Sequence, residues 1–161
     1  MNKPYITKVH IVIEILAGAI ALAAVLIAVG FALTADGPVA MHYDMQGNVN
    51  GWGSAWGAVV MPIIMLITGA GLSAVVHFVP AETWNTGIRR IRPSRKNIVY
   101  SDCALMIVLL ELEFALFSLS FTIGTMLGSG SWFVAAALAM IAAMTVTVIV
   151  SLIRANRHNK Q

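Results

Sequence analysis

The stretch Val9–Leu33 reads VHIVIEILAGAIALAAVLIAVGFAL, 25 consecutive residues whose only ionisable side chains are His10 and Glu14. A helix that crosses a bilayer needs about 20 predominantly apolar residues, so this run decides the fold class. Three more runs of the same kind follow at Ala58–Val79, Ile98–Thr125 and Trp132–Ile153. The chain as a whole agrees: 59% of its 161 residues are hydrophobic and 11% charged, with mean hydropathy +0.85. A soluble domain carries roughly 45–50% apolar and about 25% charged residues. This composition excludes both a soluble globular domain and a disordered chain. The first run exceeds the roughly 7–15-residue apolar core of a signal peptide, and Leu33 spoils a small-x-small cleavage site before Ala35, so a retained helix is expected. The fold class is therefore all-α: one domain, residues 1–161, forming a polytopic bundle of four transmembrane helices over about 9–33, 58–79, 98–125 and 132–153.

The ten Lys and Arg residues orient the bundle. They fall at Lys3 and Lys8, at Arg89, Arg90, Arg92, Arg95 and Lys96, and at Arg154, Arg157 and Lys160. The other two connections, 34–57 and 126–131, have none. Basic residues near helix ends stay on the cytoplasmic side. Both termini and the 80–97 connection are expected inside, with 34–57 and 126–131 outside. Trp52, Trp56 and Trp132 then lie near the outer interface and Trp84 near the inner one. The net charge of +3 is thereby explained without nucleic acid, which needs a basic face on a soluble domain. The one cysteine, Cys103, permits no intrachain disulfide.

Lipid gives apolar helices no hydrophobic reason to associate, so contacts are expected at small residues. These are Ala17, Ala21 and Ala24 in the first run, Gly69, Gly71 and Ala74 in the second, and Ala135, Ala139 and Ala143 in the fourth. Ionisable residues inside the runs are more informative, because each costs about 2.5–3.5 kcal/mol to insert and faces protein or water. At about 100° per residue, Glu111 shares a stripe of the third run with Ser118, Thr122 and Thr125. Asp102, Glu113, Ser120 and Gly124 form a second stripe almost opposite. The third helix is therefore expected to meet protein or water on two sides, with Glu111 and Glu113 unable to enter one narrow cavity. Glu14, His77 and Asp102 all fall near the inner boundary, within reach of a single cluster.

The connection after the first run is no bland linker. It reads Pro38-Val-Ala-Met-His42-Tyr43-Asp44-Met-Gln46-Gly47-Asn48-Val-Asn50-Gly51-Trp52-Gly53-Ser54. Gly47-Asn48 and Asn50-Gly51 are turn-forming pairs, so an ordered extracellular cap over the helix ends is expected, with His42 and Asp44 bonded within it. A calcium loop beginning at Gln46 fails because Gly57 stands where a bidentate Glu is required.

That order of residues, His-aromatic-Asx, then Gly, then Asx-Gly-aromatic-Gly-Ser, followed by a helix with an early Pro, resembles the loop of bacterial SdpI-like membrane proteins. Their pattern is approximately Pro-x-x-Ile-Pro-x-His-Phe-Asn-x-x-Gly-x-x-Asp-Gly-x-Gly-Ser-Lys. His42, Tyr43, Asp44, Gly47, Gly51, Trp52, Gly53 and Ser54 occupy those places, Met61-Pro62 resembles the Leu-Pro that follows, and Arg92-Pro93-Ser94-Arg95-Lys96-Asn97 resembles the basic stretch before the third helix. Asp36 and Ala40 replace the two prolines, Asp44 the Asn, Asn50 the Asp and Ala55 the Lys. The resemblance implies a small protein of the bacterial cell membrane, without enzymatic activity or cofactor, conferring immunity to a secreted peptide toxin or signalling through a captured cytoplasmic repressor. On that reading His42, Tyr43, Asp44, Gly47, Asn48, Asn50, Gly51, Trp52 and Ser54 bind a ligand or shape the loop. Arg89, Arg90, Arg92, Arg95 and Lys96 then meet a cytoplasmic partner or anionic lipid. Glu14, His77, Asp102, Glu111 and Glu113 are the intramembrane polar residues. The alternative reading is a transporter or channel subunit, oligomeric because four short spans without an inverted repeat make a poor transporter alone. A metalloenzyme is disfavoured: His42 and Asp44 offer two ligands where a catalytic metal usually takes three, and no His-Glu-x-x-His helix exists.

Overall fold

The structure, a computed structural model, describes residues 3–44 and 46–161. It holds four long apolar helices, α1 (Lys8–Thr34), α2 (Gly57–Phe78), α3 (Lys96–Leu127) and α4 (Gly130–Lys160). Each is long and apolar enough to cross a membrane. At 1.5 Å per residue the 27 residues of α1 reach about 40 Å, more than the roughly 30 Å of bilayer hydrocarbon. The fold is not helical throughout. Between α1 and α2 lies a hairpin of two antiparallel strands, β1 (Val39–Tyr43) and β2 (Val49–Gly53).

The third helix is the hub: α3 packs against α1, α2 and α4, while α4 packs chiefly on α3. On α1 the buried face is Ala17, Ala21, Ala24, Ala28 and Ala32. Three- and four-residue spacing puts these methyl groups on one side, where they allow the close approach that van der Waals packing between membrane helices requires. Gly69 does the same on α2. The other expected contact residues do not serve: Gly71, Ala74, Ala135, Ala139 and Ala143 are exposed. Polar groups on α3 must find partners, and α4 turns Thr147, Ser151 and Ala155 toward them instead of its alanine stripe.

Two ends of the bundle can be distinguished. One carries the N-terminal segment, the 79–95 connection and the C-terminal turns of α4. There Lys3 Nζ donates to the carbonyls of Val76 (2.8 Å) and Val79 (3.0 Å), placing a cation on the C-terminus of α2. Tyr5, Trp84 and Tyr100 pack edge to face beside it, with centroids 5.8–6.4 Å apart. The opposite end carries the hairpin and the α3–α4 turn. That turn is shorter than the expected 126–131, because Gly128 takes φ 60° and its N–H returns to the carbonyls of Gly124 and Thr125. The fourth helix also runs past the expected residue 153 to Lys160. Its last turns stay helical while Arg154 and His158 reach back to α3 and Asn159 holds the 79–95 connection.

Candidate functional site

The hairpin is built from its own side chains. Asp44 Oδ1 accepts the backbone N–H groups of Gln46 (2.9 Å) and Asn48 (2.8 Å), and Oδ2 accepts from Asn48 Nδ2 (3.1 Å). The N–H of Asp44 donates to the Asn48 carbonyl at 2.9 Å, and that of Gly47 to the Asp44 carbonyl at 3.0 Å. Gly47 sits at φ 85°, a conformation that penalises a Cβ. These bonds favour the ionised carboxylate. Asn48, through its backbone and then its side chain, holds the Asp44 carboxyl below the ordinary range, against the opposing effect of desolvation. Across the ladder, His42 Nδ1 donates to Asn50 Oδ1. The register shifts on both sides of His42, which stands opposite Gly51. A Cβ on Gly51 would come within 2.9 Å of His42 Cβ, so this glycine makes room for the histidine.

The hairpin is seated on the α3–α4 junction. Tyr43 stacks on Phe133 with ring centroids 5.9 Å apart, and Phe133 meets Phe121 edge-on at 4.5 Å. Burial pushes the Tyr43 phenol up from its usual range. Beneath the hairpin, Ala28, Ala32, Ala55 and Val59 form a small core against which Val39 packs. The outward surface keeps His42, Asn48, Asn50, Trp52, Ser54 and Trp56 exposed, Trp52 at 68%. Both tryptophans border a cavity of ≈ 640 Å³ whose other walls include Ala35, Gly37 and Pro38.

Inside the bundle the polar residues separate into distinct sets. Glu14 on α1 accepts from His77 Nε2 at 2.9 and 3.0 Å and from Ser73 Oγ at 3.2 Å, both on α2. Asp102 does not join them, contrary to the single cluster that the sequence allows. It lies on the α4 side of α3, 2.9 Å from Arg154 Nε and 2.6 Å from His158 Nδ1. Glu113 likewise faces α4, where Thr147 Oγ1 donates to it at 2.5 Å. Farther along the same stripe, Trp132 Nε1 donates to the carbonyl and hydroxyl of Ser120 at 3.0 and 3.1 Å. Its ring occupies the space that a Cβ at Gly124 would need, 2.7 Å from Cδ1. The opposite stripe, Glu111, Ser118, Thr122 and Thr125, is buried.

The 79–95 connection is pinned to α4. Asn159 Nδ2 donates to the Arg90 carbonyl (3.0 Å), Asn159 Oδ1 accepts from the Arg92 N–H (2.9 Å), and Arg92 Nη1 donates to the Lys160 carbonyl (2.8 Å). Arg89, Arg90 and Lys96 remain exposed beside it, with Arg95 half-buried. His10 was not singled out in the sequence. It is buried, its Nδ1 accepting from the Thr7 N–H and its Nε2 donating to the Ser101 carbonyl, each at 3.0 Å. The available signal was its place three residues after Thr7, where a capping-box side chain sits.

Neither a curated protein nor a solved structure matches the chain. A family profile described as a domain of unknown function, DUF1648, matches residues 19–66, from the middle of α1 through the hairpin to the first turns of α2.

Proposed function

We propose that the protein is a small SdpI-like protein of a bacterial cell membrane that gives immunity to a secreted peptide toxin or reports its arrival, with the hairpin as the receiving surface. The observation that carries this reading is the hairpin itself: a segment held by its own bonds and docked on two helices, yet presenting Trp52, Trp56 and His42 outward. Exposed aromatics around a concavity lined mainly by small and apolar residues suit peptide capture. The DUF1648 match at residues 19–66 includes the loop and the Met61-Pro62 pair of the SdpI-like motif, though not the Arg92–Asn97 stretch. His42 and Asp44 direct their side-chain bonds to Asn50 and Asn48, which supports loop structuring rather than catalysis.

The reading places both termini and Arg89, Arg90, Arg92, Arg95 and Lys96 in the cytoplasm, there to meet a repressor protein or anionic lipid. Lipid contact is worth about 1 kcal/mol per basic residue. Expression in a toxin-sensitive bacterium challenged with secreted peptide toxins tests the function. Protection should appear with the wild-type chain and be lost in Trp52→Ala and His42→Ala at unchanged membrane abundance. Absence of protection across the panel, or protection that survives both substitutions, would count against the hairpin. Orientation is tested separately: a cysteine at Arg92 should react with an impermeant thiol reagent only after the cells are opened.

A further inference from the structure

Glu111 is 6% exposed, and its Oε2 has no hydrogen-bond partner among the described residues. It borders a cavity of ≈ 250 Å³ enclosed by α1, α2 and α3. The absence of a side chain at Gly69 admits it, since a Cβ there would stand 3.4 Å from Glu111 Cγ. Glu14 borders the same cavity, but its oxygens are already engaged by His77 and Ser73. Between the two acids the wall is apolar, with small residues Ala17, Ala21 and Ala115 beside the larger Leu66 and Met65. Ala70 on the rim is exposed, so the cavity reaches the lipid-facing side of α2.

A buried acceptor facing an apolar hollow is complementary to a molecule with a donating head and a hydrocarbon body. Two acidic side chains disfavour an anion. An inorganic cation would exchange its hydration shell for methyl groups over most of its surface. The geometry points to a binding site for a small lipophilic amine, its N–H groups donating to Glu111 and its body lying against the alanines between α1, α2 and α3. This inference is independent of the hairpin and of any role in immunity. Glu113 supplies an internal control: it is the same residue type on the same helix, and its Oε2 is likewise without a partner among the described residues, but it faces Thr147 of α4 and does not border the cavity.

The test uses the full chain in phosphatidylcholine nanodiscs, with para-fluorobenzylamine as probe and para-fluorobenzyl alcohol as its uncharged counterpart, read by fluorine NMR against empty nanodiscs. The amine should broaden saturably while the alcohol partitions as it does into lipid alone. Glu111→Gln should weaken amine binding about tenfold or more, and Glu113→Gln should leave it unchanged. Gly18 lines the cavity and has open space where its Cβ would be, so Gly18→Leu should fill the hollow and reduce binding. Equal behaviour of amine and alcohol in the wild-type protein overturns the proposal, whatever the variants do. So does amine binding undiminished in Glu111→Gln or, should that variant not assemble, in Gly18→Leu.

Discussion

Replacing Gly130 by alanine puts a methyl group where the hairpin backbone already lies. The new Cβ would overlap the Gly47 carbonyl oxygen and stand 2.5 Å from Tyr43 Cδ1 and 2.7 Å from Gly47 C. Two of these three atoms are backbone, and Gly130 itself opens α4 and cannot yield without moving the helix. The hairpin must therefore lift. Lifting loses the Tyr43–Phe133 stack, about 0.5–1.5 kcal/mol beyond area burial, and re-exposes part of the tyrosine ring, about 1–2 kcal/mol at ~25 cal/mol per Å². The docked state should weaken by about 2–3 kcal/mol. A two-stranded hairpin alone is marginal in water, so undocking also opens its ladder. Hydrogen exchange at the Asp44 and Asn48 amides should then accelerate roughly 30- to 150-fold at 1.4 kcal/mol per decade, while the amides of α1 and α2 keep their rates. Gly128→Ala is the control: its φ of 60° also penalises a side chain, but no atom lies within 4 Å of its Cβ. It should cost about 1 kcal/mol at the end of α3 and leave the hairpin amides nearly alone. Hairpin exchange within about threefold of wild type in Gly130→Ala would refute the reasoning, because the cap would then stand on its own bonds rather than on its seat.

Because the folded Asp44 carboxyl lies below its ordinary range, its contribution to hairpin order is complete above the unfolded pKa of about 4. It is lost only as pH falls through the lower folded value. The Asn48 amide chemical shift should therefore stay constant from neutral pH down to about 4, and a midpoint at or above that pH would contradict the carboxylate's role. Arg154→Ala leaves Asp102, 3% exposed, with His158 alone, and should lower unfolding stability in detergent by about 1–3 kcal/mol. Asp102→Asn should cost less, since Arg154 is 54% exposed and can turn to solvent; the reverse order would mean the pair contributes little. Glu113→Gln preserves the contact with Thr147 and should assemble normally, whereas Glu113→Lys places a cation between α3 and α4 at about 2.5–3.5 kcal/mol. Monodisperse yield from membranes distinguishes the two, and equal yields would refute the assignment.

The four spans were legible because a bilayer imposes one strong requirement, sustained apolar length, that the sequence meets without ambiguity. The two stripes of α3 were legible for a related reason. Helical period fixes which residues share a side, and hydrocarbon forbids leaving those sides unpartnered, so Glu111 and Glu113 had to diverge and do. Which partner each polar residue takes was not legible. Asp102 lies beside Ser101, whose carbonyl bonds His10 one turn before Glu14, but its place on α3 turns it toward α4, and no spacing within one helix reveals the rotation of its neighbour. The hairpin was visible as an ordered cap but not as strands, because its glycines and asparagines read as turns. Only the assembled ladder shows that Gly51 makes room for His42, and only the docked hairpin shows Gly47 against the α4 N-terminus.

The alanine stripe of α4 makes the same distinction at the level of packing. Ala135, Ala139 and Ala143 have the spacing of a helix contact, yet they are exposed. Small residues permit close approach but exert no directional pull. Glu113, Asp102 and Ser120 on α3 do pull, through bonds to Thr147, Arg154, His158 and Trp132. Burying such groups without partners costs more than the packing of three methyl groups returns. The rotation of α4 thus follows the polar stripe of α3. The orientation of α3 itself directs Glu113 and Asp102 toward α4 and leaves Glu111 before the cavity shared by α1 and α2. The same residue type therefore ties α3 to α4 at position 113 and borders open space between α1 and α2 at position 111, on opposite sides of a single helix.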